Sequence, residues 1–138
     1  MPYPEMLVAP MRAELTRLGL QEMKTAEEVE QMLGDATEPT LVVVNSVCGC
    51  AARNARPAVA MALQGEKKPA RLTTVFAGQD NDATQMARSY FHGYAPSSPS
   101  IALLKDGDVA FMLERHQIEG RTAQQIAADL EDAFQRLC

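Results

Sequence analysis

The sequence predicts an α/β fold: a mixed central sheet with helices on both faces and an N-terminal helical extension. Three observations carry it. Five of the seven residues 41–47 are Val or Leu, as in a strand covered on both sides, and apolar residues then recur at helical spacing through Val59 and Leu63. A second strand, Arg71–Phe76, is rich in β-branched residues, so the two strands and the helix between them form a β-α-β unit with a parallel pair. Asp106-Gly107 stands between two further strand patterns, Ser100–Lys105 and 109–114, and is a hairpin signal that adds antiparallel strands at one side.

The whole chain bounds its setting. At 138 residues it fits one domain, residues 1–138, with a sizeable core. Thirteen basic against eighteen acidic residues give a net charge of −5, which argues against nucleic acid as a partner. No apolar run approaches a membrane span, and residues 1–9 lack the basic-then-apolar pattern of a signal peptide. Three cysteines are too few for a secreted disulfide scaffold. A reducing cytoplasm is the expected location, and there a cysteine pair is more often catalytic than structural.

In chain order, Pro4 precedes a helical pattern of Met6, Leu7, Met11, Leu15 and Leu18, which Gly19 stops. Thr25-Ala26-Glu27-Glu28 is a capping box that opens a short helix ending at Gly34. Neither helix carries a reacting group. After the first strand and its helix, where Pro57 removes a backbone hydrogen bond and is expected to kink the axis, the chain loops near Gln64-Gly65. Beyond the second strand, Asp80 or Asp82 can cap a helix reaching about His92, followed by a loop to Pro99. After the hairpin a final helix starts at Thr122, with Ile126, Leu130, Ala133, Phe134 and Leu137 on its apolar face. This order is that of the thioredoxin-like fold.

Cys48-Gly49-Cys50 lies at the carboxyl end of the first strand and the amino end of its helix. Free amides and the positive end of the helix dipole favour a thiolate there. Two small buried residues, a soft-metal site for Cu(I), a docking turn in a thioredoxin-like binding module, and thiol–disulfide exchange are the readings of such a pair. Zinc requires a second ligand pair, whereas His92, His116 and Cys138 are scattered singly. Exchange fits best. A Cys-x-Cys ring is smaller than Cys-x-x-Cys and its disulfide is expected to be strained and labile, with Gly49 easing the backbone.

Asn45-Ser46-Val47-Cys48-Gly49-Cys50-Ala51 resembles the bacilliredoxins, as do Glu114-Arg115-His116, Ile118-Glu119-Gly120-Arg121 and the terminal Cys138. Ser98-Pro99-Ser100 with the strand after it resembles the thioredoxin segment that carries a cis-proline. The resemblance implies removal of bacillithiol from mixed disulfides on oxidised or S-thiolated client proteins, with bacillithiol as co-substrate and no resident cofactor or metal. Disulfide isomerase activity is a related expectation. It makes Cys48 the attacking sulfur and Cys50 the resolving one, and sets Gly49, Ser98 and Pro99 against the substrate. A cis Ser98–Pro99 bond is expected, with the Ser98 backbone turned toward the sulfurs. Val42 stands where thioredoxin has a buried aspartate, so Glu114 or His116 become auxiliary candidates for the resolving thiol's proton. Cys138 follows a helix end and is expected to be exposed, as a third redox group or a bystander.

Overall fold

A computed structural model describes residues 2–138. The helix α1, Glu5–Thr16, ends in a turn that Gly19 completes at φ 99°, a backbone angle that glycine takes without strain. A two-residue strand, β1 (Gln21–Glu22), follows, then α2 (Ala26–Leu33), whose Thr25 hydroxyl accepts from the Glu28 amide at 3.1 Å. The strand β2, Thr40–Asn45, is buried along its whole length. It stops two residues short of the apolar run, because the Ser46 amide leaves the ladder and donates to Asn45 Oδ1 at 2.9 Å.

The following helix opens with a π-helical turn, Ala51–Ala55, and continues as α3, Arg56–Ala62. The disturbance expected at Pro57 takes this form: the wider turn accommodates a ring that clashes with the carbonyl four residues back. After β3 (Arg71–Phe76), α4 spans Asn81–Arg88 and ends before His92. Asp80 stands at its N-cap without capping it, since its carboxylate is taken by Arg12 at 2.7 and 3.2 Å. The hairpin is β4 (Ser100–Lys105) and β5 (Asp108–Leu113), with Asp106 and Gly107 both at positive φ as a mirror-image turn requires. A single turn, α5 (Arg115–Ile118), precedes the last helix, α6 (Ala123–Leu137).

The sheet order is β1-β3-β2-β4-β5, with β1, β3 and β2 parallel and β4 and β5 antiparallel. The fold is thioredoxin-like. Alternation along the strands splits the core in two: Leu41, Val43, Ile101 and Leu103 pack with α3 and α6, whereas Val42, Val44, Ala102 and Leu104 pack with residues of α2 and α4. Parallel β2 and β3 point their carboxyl ends the same way, toward the turn that holds Cys48 and Cys50. The α1 extension is fixed beside that end by buried Arg12, which pairs with Asp80 and Glu5 and lies 5.3 Å over the Phe76 ring. Burial opposes the charge on Arg12, but the hydrogen bonds it donates to the two carboxylates, and their charges, outweigh it and push its pKa up.

Candidate redox site

The cysteine turn is built on a helix N-cap. The Cys48 carbonyl accepts the first helical bonds, from the Ala51 amide at 3.0 Å and the Ala52 amide at 3.3 Å. The Cys50 amide donates to Cys48 Sγ at 3.4 Å. A sulfur thus occupies the position in which a serine or aspartate side chain caps a helix, where amide dipoles favour negative charge. The two sulfurs are bonded to each other, with Cα atoms 5.4 Å apart. Both residues are half-buried and Gly49 between them is exposed, so exposure does not rank the sulfurs.

Beneath the turn lies a buried polar relay. The Cys48 amide donates to Ser46 Oγ at 3.2 Å. Asn45 Oδ1 accepts from the Ser46 amide and from Arg56 Nη1, each at 2.9 Å, while Asn45 Nδ2 donates to the Met11 carbonyl at 3.2 Å. Arg56 Nη1 also reaches the Ser46 carbonyl at 3.1 Å, and its Nε lies 3.2 Å from Glu14 Oε2, a charge contact without hydrogen-bond alignment. Arg56 is 3% exposed. One buried guanidinium therefore ties β2, the cysteine turn and α1 together. This residue escapes a sequence reading, because an arginine in a helix otherwise looks solvent-facing.

Two depressions meet at Cys48. One, of about 480 Å³, is lined by Cys48, Cys50, Arg53, Asn54 and Glu119. The other, of about 320 Å³, is lined by Cys48, Ser46, Tyr3, Arg88, Ser98 and Arg115. Cys48 belongs to both and Cys50 only to the first. The Ser98–Pro99 bond is cis, with Pro99 buried and Ser98 at the wall shared with Cys48. The Ser98 carbonyl accepts from Arg115 Nη1 at 3.3 Å, so this loop is held by an arginine to which the sequence reading gives no role of its own. Gly49 has a spatial role in place of the conformational one expected of it. Its φ is not positive, and a Cβ there would come 2.9 Å from Arg53 Nη2.

Residues 3–138 match the family described as disulphide isomerase. The chain is 54% identical to a bacilliredoxin of Bacillus licheniformis over 137 residues, covering 99% of this chain and 95% of that protein. It is 52% identical to a bacilliredoxin of Koribacter versatilis over 136 residues, covering 99% and 94%. With a bacilliredoxin of Salinibacter ruber the identity is 52% over 140 residues, covering 100% and 82%. The chain belongs to the bacilliredoxin family. A thiol–disulfide redox role follows, and Cys48 and Cys50 are the bonded sulfurs that suit it.

The remaining candidates of this bacilliredoxin-family chain fall outside that centre. Glu114 caps α5, its amide donating to Gln117 Oε1 at 2.9 Å, and His116 is exposed on the same turn. Neither lines a depression that Cys48 opens onto; their neighbours Arg115 and Glu119 do. Val42 is fully buried among apolar residues, so no carboxylate stands under the turn at that position, and Glu119 is the carboxylate that shares a depression with Cys50. Cys138 is a free, exposed thiol. Asn54 donates to the Arg121 carbonyl and so fixes the start of α6 beside the turn. At 1.5 Å per residue, the helix carries Cys138 about 22 Å from that start. No group of three His, Cys, Asp or Glu side chains able to hold a metal ion occurs among the described residues, nor any helix long and apolar enough to cross a membrane.

Proposed function

We propose that this protein removes a small thiol, bacillithiol or a relative of it, from mixed disulfides on oxidised client proteins in a reducing cytoplasm. The observation that supports it is the N-cap sulfur: Cys48 receives an amide hydrogen bond, lies in two open depressions, and has its partner sulfur within bonding reach. In the reduced protein Cys48 is the attacking thiolate. It forms a disulfide with the small thiol's sulfur and breaks the bond to the client, whose sulfur leaves as thiolate and takes a proton from solvent. Cys50, deprotonated with Glu119 or solvent as acceptor, then attacks Cys48 Sγ and expels the small thiol. The balance is one mixed disulfide reduced to two thiols and one Cys48–Cys50 dithiol oxidised to a disulfide, which a dithiol or a second small thiol must reduce again. No resident cofactor enters the sequence; the small thiol is a co-substrate. A second activity, isomerisation of protein disulfides, is favoured by the family's description and uses the same attack on a client disulfide.

Substitution of each sulfur tests the order. Cys50→Ser is expected to accumulate an adduct on Cys48, read as a mass increase of one small thiol. Cys48→Ser is expected to reduce turnover to the uncatalysed background. An adduct on Cys50 with activity retained in Cys48→Ser reverses the roles, and failure of both variants to trap a thiol sinks exchange altogether.

A further inference from the structure

The depression between Cys48 and the cis-proline loop is cationic, in a chain whose net charge is −5. Arg88 reaches it from the last turn of α4 and Arg115 from the first residue of α5. Each guanidinium spends one donor on the loop: Arg88 Nη2 on the Ser97 carbonyl at 3.2 Å, Arg115 Nη1 on the Ser98 carbonyl at 3.3 Å. Arg115 also lies 3.5 Å from Glu119, whereas Arg88 meets no carboxylate at ion-pair distance among the described residues. Arg88 is half-buried, and that burial pushes its pKa down, the mark of a cation short of a counter-charge. No carboxylate of the described residues lines the depression. Its volume of about 320 Å³ suits a small molecule. A half-buried guanidinium with free donors is a fork for a carboxylate.

We propose that this depression binds the carboxylate of the small thiol linked to Cys48, with Arg88 and Arg115 as its cationic partners. The inference rests on the exchange reading above and adds the residues that select the thiol, Arg88 and Arg115, through its carboxylate. Selection acts through the adduct, so a neutral thiol of the same size and skeleton is a poorer substrate. The client protein makes no contribution to it.

One client protein with a single cysteine, loaded either with glutathione or with glutathione diethyl ester, separates charge from shape. The wild-type protein is expected to discharge the free acid with kcat/KM about tenfold above the ester, chiefly through KM, and to lose that preference as salt rises. Arg88→Gln and, separately, Arg115→Gln are expected to bring the ratio toward one, and Arg88→Lys to restore part of it. Equal wild-type rates on acid and ester overturn the inference while leaving exchange standing. So does a proportional fall on both substrates in the variants, which assigns the arginines to holding the loop alone. A preference that follows the client rather than the adduct also overturns it, in favour of an acidic protein surface as the occupant. Discharge of neither substrate by the wild type overturns the inference, since a carboxylate then does not suffice for recognition; the same client loaded with bacillithiol, if it too stays loaded, overturns the exchange reading itself. The salt dependence needs no variant, so a misfolded arginine mutant does not leave the matter open.

Discussion

Cys48 and Cys138 carry the same side chain at opposite ends of helical polarity. Cys48 stands where a helix begins and receives an amide on its sulfur. Cys138 stands where α6 ends, its own amide donating to the Phe134 carbonyl at 2.9 Å and the last carbonyls of the helix around it. Partial burial pushes the Cys138 thiol pKa up, against the opposing pull of Lys105 and Lys67. Cys138 is nonetheless the more exposed of the two. Helix polarity and amide contacts, then, separate these thiols where accessibility would rank them the other way.

Removing the support beneath Cys48 is the strongest way to break the contrast. Arg56→Met leaves the Ser46 carbonyl and one lone pair of Asn45 Oδ1 without their buried donor. A loss of about 3 kcal/mol is expected, read as a lower urea midpoint, together with slower exchange. Unaltered stability would mean that the relay is an incidental contact. A gentler comparison alkylates the reduced protein with iodoacetamide across a pH series and follows each cysteine by mass. Thiolate is the reacting form, so a raised pKa moves the curve to higher pH. Cys138 is expected to reach half-reactivity at higher pH than an ordinary cysteine thiol, and Cys48 below Cys138. The reverse order would show that the N-cap does not set Cys48 chemistry. The smallest effect is expected from Cys138→Ser: exchange rate unaltered, and stability within about 0.5 kcal/mol of the parent. A change in turnover or in oxidant-dependent dimerisation would give that thiol a function.

The two ends of the chain's organisation differ in how much of them the sequence discloses. Central strands read well, because β2 is buried on both faces and its Val and Leu run has no other use. The hairpin reads equally well, since Asp106-Gly107 fits the positive φ angles that the turn adopts. The short strand β1, Gln21–Glu22, has no apolar pattern to announce it and exists through pairing with β3. Likewise α5 is a single polar turn held by the Glu114–Gln117 capping box. At the site, Cys48, Cys50 and the cis Ser98–Pro99 bond are legible as local motifs. The four arginines around them are not. Arg53 and Arg56 sit on the helix after the cysteines, Arg88 on α4 and Arg115 beyond β5, and only the assembled sheet brings Arg53, Arg88 and Arg115 around Cys48 with Arg56 buried beneath it. Glu114 and His116 show the converse: a neighbouring register of the same segment, Arg115 and Glu119, faces the sulfurs instead.

That Cys48 belongs to two depressions and Cys50 to only one has a stereochemical consequence. Displacement at a sulfur is in-line: the incoming sulfur, the attacked sulfur and the departing one fall close to a straight line. In the proposed resolving step Cys50 enters Cys48 Sγ from the side of Arg53 and Glu119. The departing thiol must then leave along the opposite direction, and the depression that Cys48 lines without Cys50, the one with Arg88 and Arg115, is the exit that the proposal assigns to it. Entry and exit would then fall to two different depressions that share one residue. A thiol released there departs without crossing the new disulfide, and the reverse attack needs it to return by the same side.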